Sequence, residues 1–153
     1  MKTAFLIGRI ILGGFYLFNG MNLIISRAMM VPFAAAKGVP LPELAIPVAG
    51  VFLLVAGLSV LLGWRPLIGI GAIVLFLIPV SIYMHPFWSE SGAERLNDTV
   101  NFAKNTALLG AALMFAAIPR PWAASVGASR ADEAAEPGVD LSARREPRRS
   151  TGG

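Results

Sequence analysis

Four apolar blocks, each long enough to cross a bilayer, constrain this chain more than any other feature. They are Ala4–Ile25 (AFLIGRIILGGFYLFNGMNLII), Leu44–Gly63, Pro66–Met84 and Asn101–Ile118. At a rise of about 1.5 Å per residue, blocks of roughly 18 to 22 residues match a hydrocarbon core about 30 Å thick. The blocks are continuously apolar and do not alternate, which argues against barrel strands. Composition argues against a soluble fold: 14% of the 153 residues are charged and 56% are hydrophobic, where a soluble domain carries roughly 25% charge. The expected fold is an all-α membrane protein, a four-transmembrane-helix bundle over residues 1–122, with the bilayer as its solvent.

Lys2 followed by an apolar run has the look of a secretion signal, but Arg9 interrupts the run and no small-residue cleavage site follows promptly. The first block is therefore read as a retained helix. With four spans, the N-terminus, the 63–66 turn and the C-terminus share a side, and that side holds Lys2, Arg9, Arg65, Arg120 and the later arginines. The other side holds Arg27, Lys37 and Arg95, with Lys104 just inside the fourth span. The excess of basic residues puts both termini in the cytoplasm. Trp64 and Trp122 are then expected at the inner interface, Tyr83 and Trp88 at the outer one, and Arg9 is expected to snorkel to the inner edge.

The tight Gly63-Trp64-Arg65-Pro66 connection makes a hairpin of the second and third spans. In the first outer loop, Ser26–Glu43, the prolines of PFAAAKGVPLPEL argue against a continuous helix, and Pro79 should kink the third span or free a carbonyl. Gly13 and Gly20 on the first span, and Gly50 and Gly57 on the second, are seven apart and mark close helix packing. Residues 123–153, rich in Ala, Arg, Glu, Pro and Gly, read as a disordered basic tail with affinity for anionic lipid. No basic and aromatic groove pattern points to nucleic acid. The absence of cysteine excludes disulfides and thiolate chemistry within the chain.

The residues that need a reason are polar ones at the outer depth. Asn19 and Asn22 lie one turn apart on the first span; Asp98, Asn101 and Asn105 share a face at the start of the fourth, beside Lys104; His85, the single histidine, leaves the third. Polar groups in hydrocarbon cost about 2.5–3.5 kcal/mol when charged, so they face inward. A ligand pocket opening outward is expected, lined by His85, Asn101, Lys104 and Asn105, with Asn19 and Asn22 as further candidates and Trp88 as anchor. The alternatives are structural: interhelical bonds for the two asparagines, snorkelling for Lys104, an N-cap for Asp98 in DTVN, and a helix end for His85 before Pro86. One histidine without a partner set is a poor metal site, and no metal is expected.

The stretches GRIILGGFYLFNGMN (8–22), AAAKGVPLPELAIPVAG (34–50), HPFW (85–88) and NFAKNTALLGAAL (101–113), in this order, resemble the DoxX family of small bacterial membrane proteins. The resemblance covers about residues 4–118. His85, Phe87 and Trp88 match the family's His-x-Phe-Trp element, and Phe102, Lys104 and Asn105 its Phe-x-Lys-Asn element. It implies a four-helix protein of the bacterial inner membrane, related to a subunit of thiosulfate:quinone oxidoreductase. The implied role is that of an accessory subunit, not an enzyme by itself, in a quinone- or thiol-linked redox complex with a soluble redox enzyme or another membrane subunit. Leu23 and Leu53 fall where many relatives carry a Lys and a Glu, so an intramembrane ion pair is missing here. The competing expectation is a membrane scaffold that recruits a soluble partner or lipid and has no ligand of its own.

Overall fold

A computed structural model describes residues 2–126. Among these residues the chain is all helical: α1 (Lys2–Ile25), α2 (Arg27–Ala36), α3 (Pro42–Leu62), α4 (Pro66–Met84) and α5 (Gly92–Ala116). Three of the helices, α1, α3 and α4, are long and apolar enough to cross a membrane. The first half of α5 carries Glu94, Arg95, Asp98 and Lys104, and its uninterrupted apolar stretch begins only at Ala107. The expected tail begins beside residues that remain packed, 123–126; the rest of it lies outside the described residues.

Two elements differ from the sequence expectation. Helix α2 lies within the 26–43 connection in spite of Pro32. The carbonyl that Pro32 leaves without a donor belongs to exposed Ala28, where solvent or headgroups satisfy it. The Ala- and Met-rich sequence favours helix, and Val31 and Ala34 pack on Ile46. Helix α5 starts at Gly92, not at Asn101, because the polar stretch 92–100 is helical surface and not coil.

Helix α1 packs chiefly on α3, α3 on α4 and α4 on α5, while α2 lies against α3. The α1–α3 contact is a glycine seam. A Cβ on Gly57 would stand 2.8 Å from the Gly13 carbonyl oxygen, and one on Gly20 would stand 3.0 Å from that of Gly50. A step of seven up one helix matches a step of seven down the other, as antiparallel helices require. The spacing read from the sequence is therefore helix packing, in which small residues bring backbones together where lipid supplies no hydrophobic drive. Apart from Arg9 and Tyr16, which are buried beside Gly13 and Gly20, many large side chains of α1 point the other way, among them Ile10, Ile11, Phe18 and Ile25. A soluble helix has the reverse arrangement, so this is the construction of a helical membrane protein.

Arg9 does not snorkel. It is fully buried, with its Nε donating to the Val60 carbonyl at 3.1 Å, one terminal nitrogen to Leu61 at 2.9 Å and the other to Ala123. The last turn of a helix leaves carbonyls without intrahelical donors and carries partial negative charge, so a guanidinium there answers both needs. Val126 N–H takes the Leu62 carbonyl at 2.9 Å. Gly63 ends α3 at φ +64°, and a Cβ there would stand 2.7 Å from the Arg9 guanidinium. The ring of Trp122 covers Arg9 at 5.6 Å and packs with Phe5 and Phe115. Trp122 is thus buried, not the interfacial anchor expected of it, while Trp64 is exposed.

Arg9→Leu strands the Leu61 and Ala123 carbonyls, while Val60 keeps its bond from Gly63 N–H. The expected loss is about 2–4 kcal/mol, read as a lower thermal midpoint of the purified protein in detergent, with Arg9→Lys falling between the two.

Candidate functional site

The end of the molecule away from Arg9 gathers the C-termini of α2 and α4 and the start of α5. Helix α4 stops at His85 because a residue before proline is driven out of the helical region; His85 sits at φ −131°, ψ 56°. Pro86 then begins a turn in which its carbonyl accepts from Ser89 N–H and from the Ser89 hydroxyl, each at 2.9 Å. Phe87 and Trp88 pack edge-on to Phe102 of α5, with ring centroids at 5.2 and 6.1 Å. HPFW therefore fastens the α4–α5 connection to α5. Trp88 keeps its other face exposed, as an interfacial residue does.

Beneath this turn lies a network of four side chains. Asp98 is 4% exposed. Its Oδ2 accepts from Lys37 Nζ at 3.0 Å and its Oδ1 from His85 Nδ1–H at 3.1 Å. Lys37, the C-cap of α2, also donates to Glu90. The other oxygen of Glu90, Oε2, is buried and has no hydrogen-bond partner among the described residues. The network joins three chain segments that meet only in the tertiary structure.

Its electrostatics follow from that geometry. Burial pushes the Asp98 carboxyl up, but the bonds from His85 and Lys37 outweigh it and hold the group below its ordinary 3.8. Bonds to Glu90 and then Asp98 raise the Lys37 ammonium above its ordinary 10.5. An ionised Asp98 only accepts, so the His85 proton toward it sits on Nδ1 and Nε2 is the nitrogen left over for a ligand.

The structure gathers only part of the site expected from sequence. His85 is in the network, and Asn105, seven residues after Asp98, is buried on the same helix face. Lys104 donates instead to Asn101 at 2.8 Å, and Asn101 to the Asn97 carbonyl at 3.0 Å, a ladder along α5. Asn19 donates to the Phe15 carbonyl of its own helix, and Asn22 accepts from the Ser26 hydroxyl, so neither joins helices or enters the network. Asp98 is no N-cap: Ser91 holds that position. Lys37 and Glu90 were not singled out in the sequence; the available signal was that all the charges assigned to one side need partners at one depth.

Next to the network an apolar cleft of about 270 Å³ runs between α3 and α4, lined by Ala49, Phe52, Phe76 and Pro79 and closed toward α2 by Met30 and Val39. The carbonyl that Pro79 leaves without a donor belongs to Leu75, also at the cleft. The lining ends at Tyr83 and Met84, immediately before His85. Among the described residues no group of His, Asp and Glu is arranged to hold a metal ion. No family model matches this chain, and neither a curated protein nor a solved structure matches it.

Lys37→Met leaves two carboxylates facing each other, whereas Asp98→Asn leaves the Lys37–Glu90 pair. The first should destabilise by about 1–3 kcal/mol, between the limits for surface and buried pairs, and the second by less. For Asp98, whose value is lowered, the stabilisation is present above the ordinary carboxylate value and lost as pH falls through the folded one. For Lys37, whose value is raised, it is lost only as pH rises through the folded value, above 10.5. Thermal midpoints of the wild type should decline in acid with a limb that Asp98→Asn shortens.

Proposed function

We propose that this chain is a DoxX-like accessory subunit of a redox assembly in the bacterial inner membrane, binding the tail of a quinone in the α3–α4 cleft with the head beside His85. The observation that carries this reading is the adjacency of an apolar cleft to a polar network with a spare imidazole nitrogen and an unpartnered carboxylate oxygen. Such a pair of surfaces suits an amphiphile with an apolar chain and a hydroxyl-bearing head that donates, as a reduced quinone has. Leu53 is buried and Leu23 packs against the same core, so the interior here is apolar at the two positions where the resemblance places an ion pair in many relatives. The head-group end, not the mid-membrane core, is then where proton handling belongs. The protein is not an enzyme on its own in this reading; the electron-transferring cofactor belongs to a partner.

In the same proposal α5 supplies the fourth span from Asn101 onward, with Asp98 above the hydrocarbon, and both termini are cytoplasmic. The 25 residues of α5 leave room for a span after its first turns, and buried Asn105 turns the polar face of that span toward the other helices. The cysteine-free chain makes clean reporters. Ser89→Cys should react with an impermeant maleimide on intact cells, and Thr3→Cys and Ser125→Cys only after permeabilisation. Labelling of Ser125→Cys together with Ser89→Cys rules out a spanning α5.

A short-chain ubiquinol, kept reduced, should bind the purified protein, weakened at least about tenfold by Ala49→Trp, which fills the cleft, and less by His85→Ala. Lys104→Ala should leave binding within about twofold. Absence of binding to folded wild type sinks the reading. It would leave the alternative, a scaffold that recruits a soluble partner or lipid, favoured by the number of network groups already satisfied within the chain. Copurification of a soluble redox enzyme only with residues 123–153 present would support that alternative.

A further inference from the structure

The end opposite the network has the contrary charge. Among the described residues all four acidic side chains, Glu43, Glu90, Glu94 and Asp98, lie at the His85 end, in the first turn of α3, the α4–α5 connection and the start of α5. The other end holds Lys2, Arg9, Arg65 and Arg120 with no described carboxylate. Arg9 is occupied with carbonyls; Arg65 and Arg120 are exposed. These two line one shallow depression of about 460 Å³, together with Trp64, Pro66, Trp122 and Ser125. Two separate segments form it, the α3–α4 turn and residues 120–126. Their apposition is held by the Arg9 bonds to Leu61 and Ala123 and by the bond from Val126 to Leu62.

The depression has a defined depth. Because α3 and α4 each have the length and apolarity of a membrane span, the turn between them emerges at a bilayer surface. Trp64 is exposed there, and the Arg65 guanidinium lies over its ring at 5.5 Å. The N-terminus of α4, with Pro66 in its first turn, opens on the same depression and adds partial positive charge. We propose that this depression is a binding site for the phosphodiester head of an anionic phospholipid, with Arg65 and Arg120 as its ligands and Trp64 at the level of the glycerol backbone. Guanidinium pairs suit phosphate oxygens, and basic pockets at the ends of membrane helices suit anionic heads. The site is independent of the quinone reading and requires only that α3 and α4 cross the bilayer.

Native mass spectrometry of the full chain in detergent, titrated with dioleoyl phosphatidylglycerol or dioleoyl phosphatidylcholine, tests it. Half-occupancy by the anionic lipid should come at a concentration at least about fivefold lower than for the zwitterionic one. The double variant Arg65→Gln/Arg120→Gln should lose that preference, and Arg27→Gln/Arg95→Gln, which removes the same charge from the other end, should keep it. Equal loss in both double variants, or no preference in the wild type, overturns the site. Competition by inorganic phosphate at millimolar concentration that abolishes the preference would make it a free-anion site and overturn the lipid assignment. A preference that emerges only when Asp132, Glu133, Glu136 and Asp140 are neutralised would assign the depression to the chain's own acidic segment instead. A circular-dichroism melt within a few degrees of wild type confirms that each variant compared is folded.

Discussion

The guanidinium of Arg9 is the interaction on which the rest of the structure depends. In hydrocarbon an unpaired carbonyl or an unpaired charge is costly, and here each removes the other's penalty. One side chain from the start of α1 takes the terminal carbonyls of α3 and one from the segment after α5. It thereby fixes the helix end, the hairpin turn that follows and the return of the chain beneath Trp122. The glycine seam extends the same contact along α1 and α3, since the backbone approach that admits Arg9 to Val60 is the one that brings Gly13 to Gly57.

The two ends of the bundle solve the polar problem differently. At the Arg9 end, one cation serves backbone acceptors and is roofed by aromatic rings, leaving two other arginines exposed. At the His85 end, two carboxylates share one lysine and one histidine, leaving an oxygen and a nitrogen unused. Each proposed site uses what its end leaves over: cations for an anionic head, an acceptor pair beside an apolar cleft for the hydroxyls of a reduced quinone.

HPFW illustrates how a single stretch serves structure and chemistry together. Pro86 ends α4, the two aromatics fasten the turn to Phe102, and the ending of the helix is what releases His85 toward Asp98. The helix boundary and the placing of His85 in the network are therefore one event, because Pro86 causes both.

Local pattern was enough to show that the chain is helical and made for a bilayer, where α4 begins and ends, that α3 and α4 form a hairpin, and which glycines face a neighbour. These follow from local periodicity, proline and apolar length, which act over a few residues. It marked His85 and the start of α5 as the polar end but paired the wrong partners, grouping His85 with Asn101 and Lys104, which bond within α5. The tertiary structure alone decided that Lys37 and Glu90 complete the Asp98 network and that Arg9 turns inward to α3. The reason is distance along the chain: Arg9 and Val60, or Lys37 and Asp98, meet only after the helices pack, and a side chain's partner is set by that packing rather than by its neighbours in sequence.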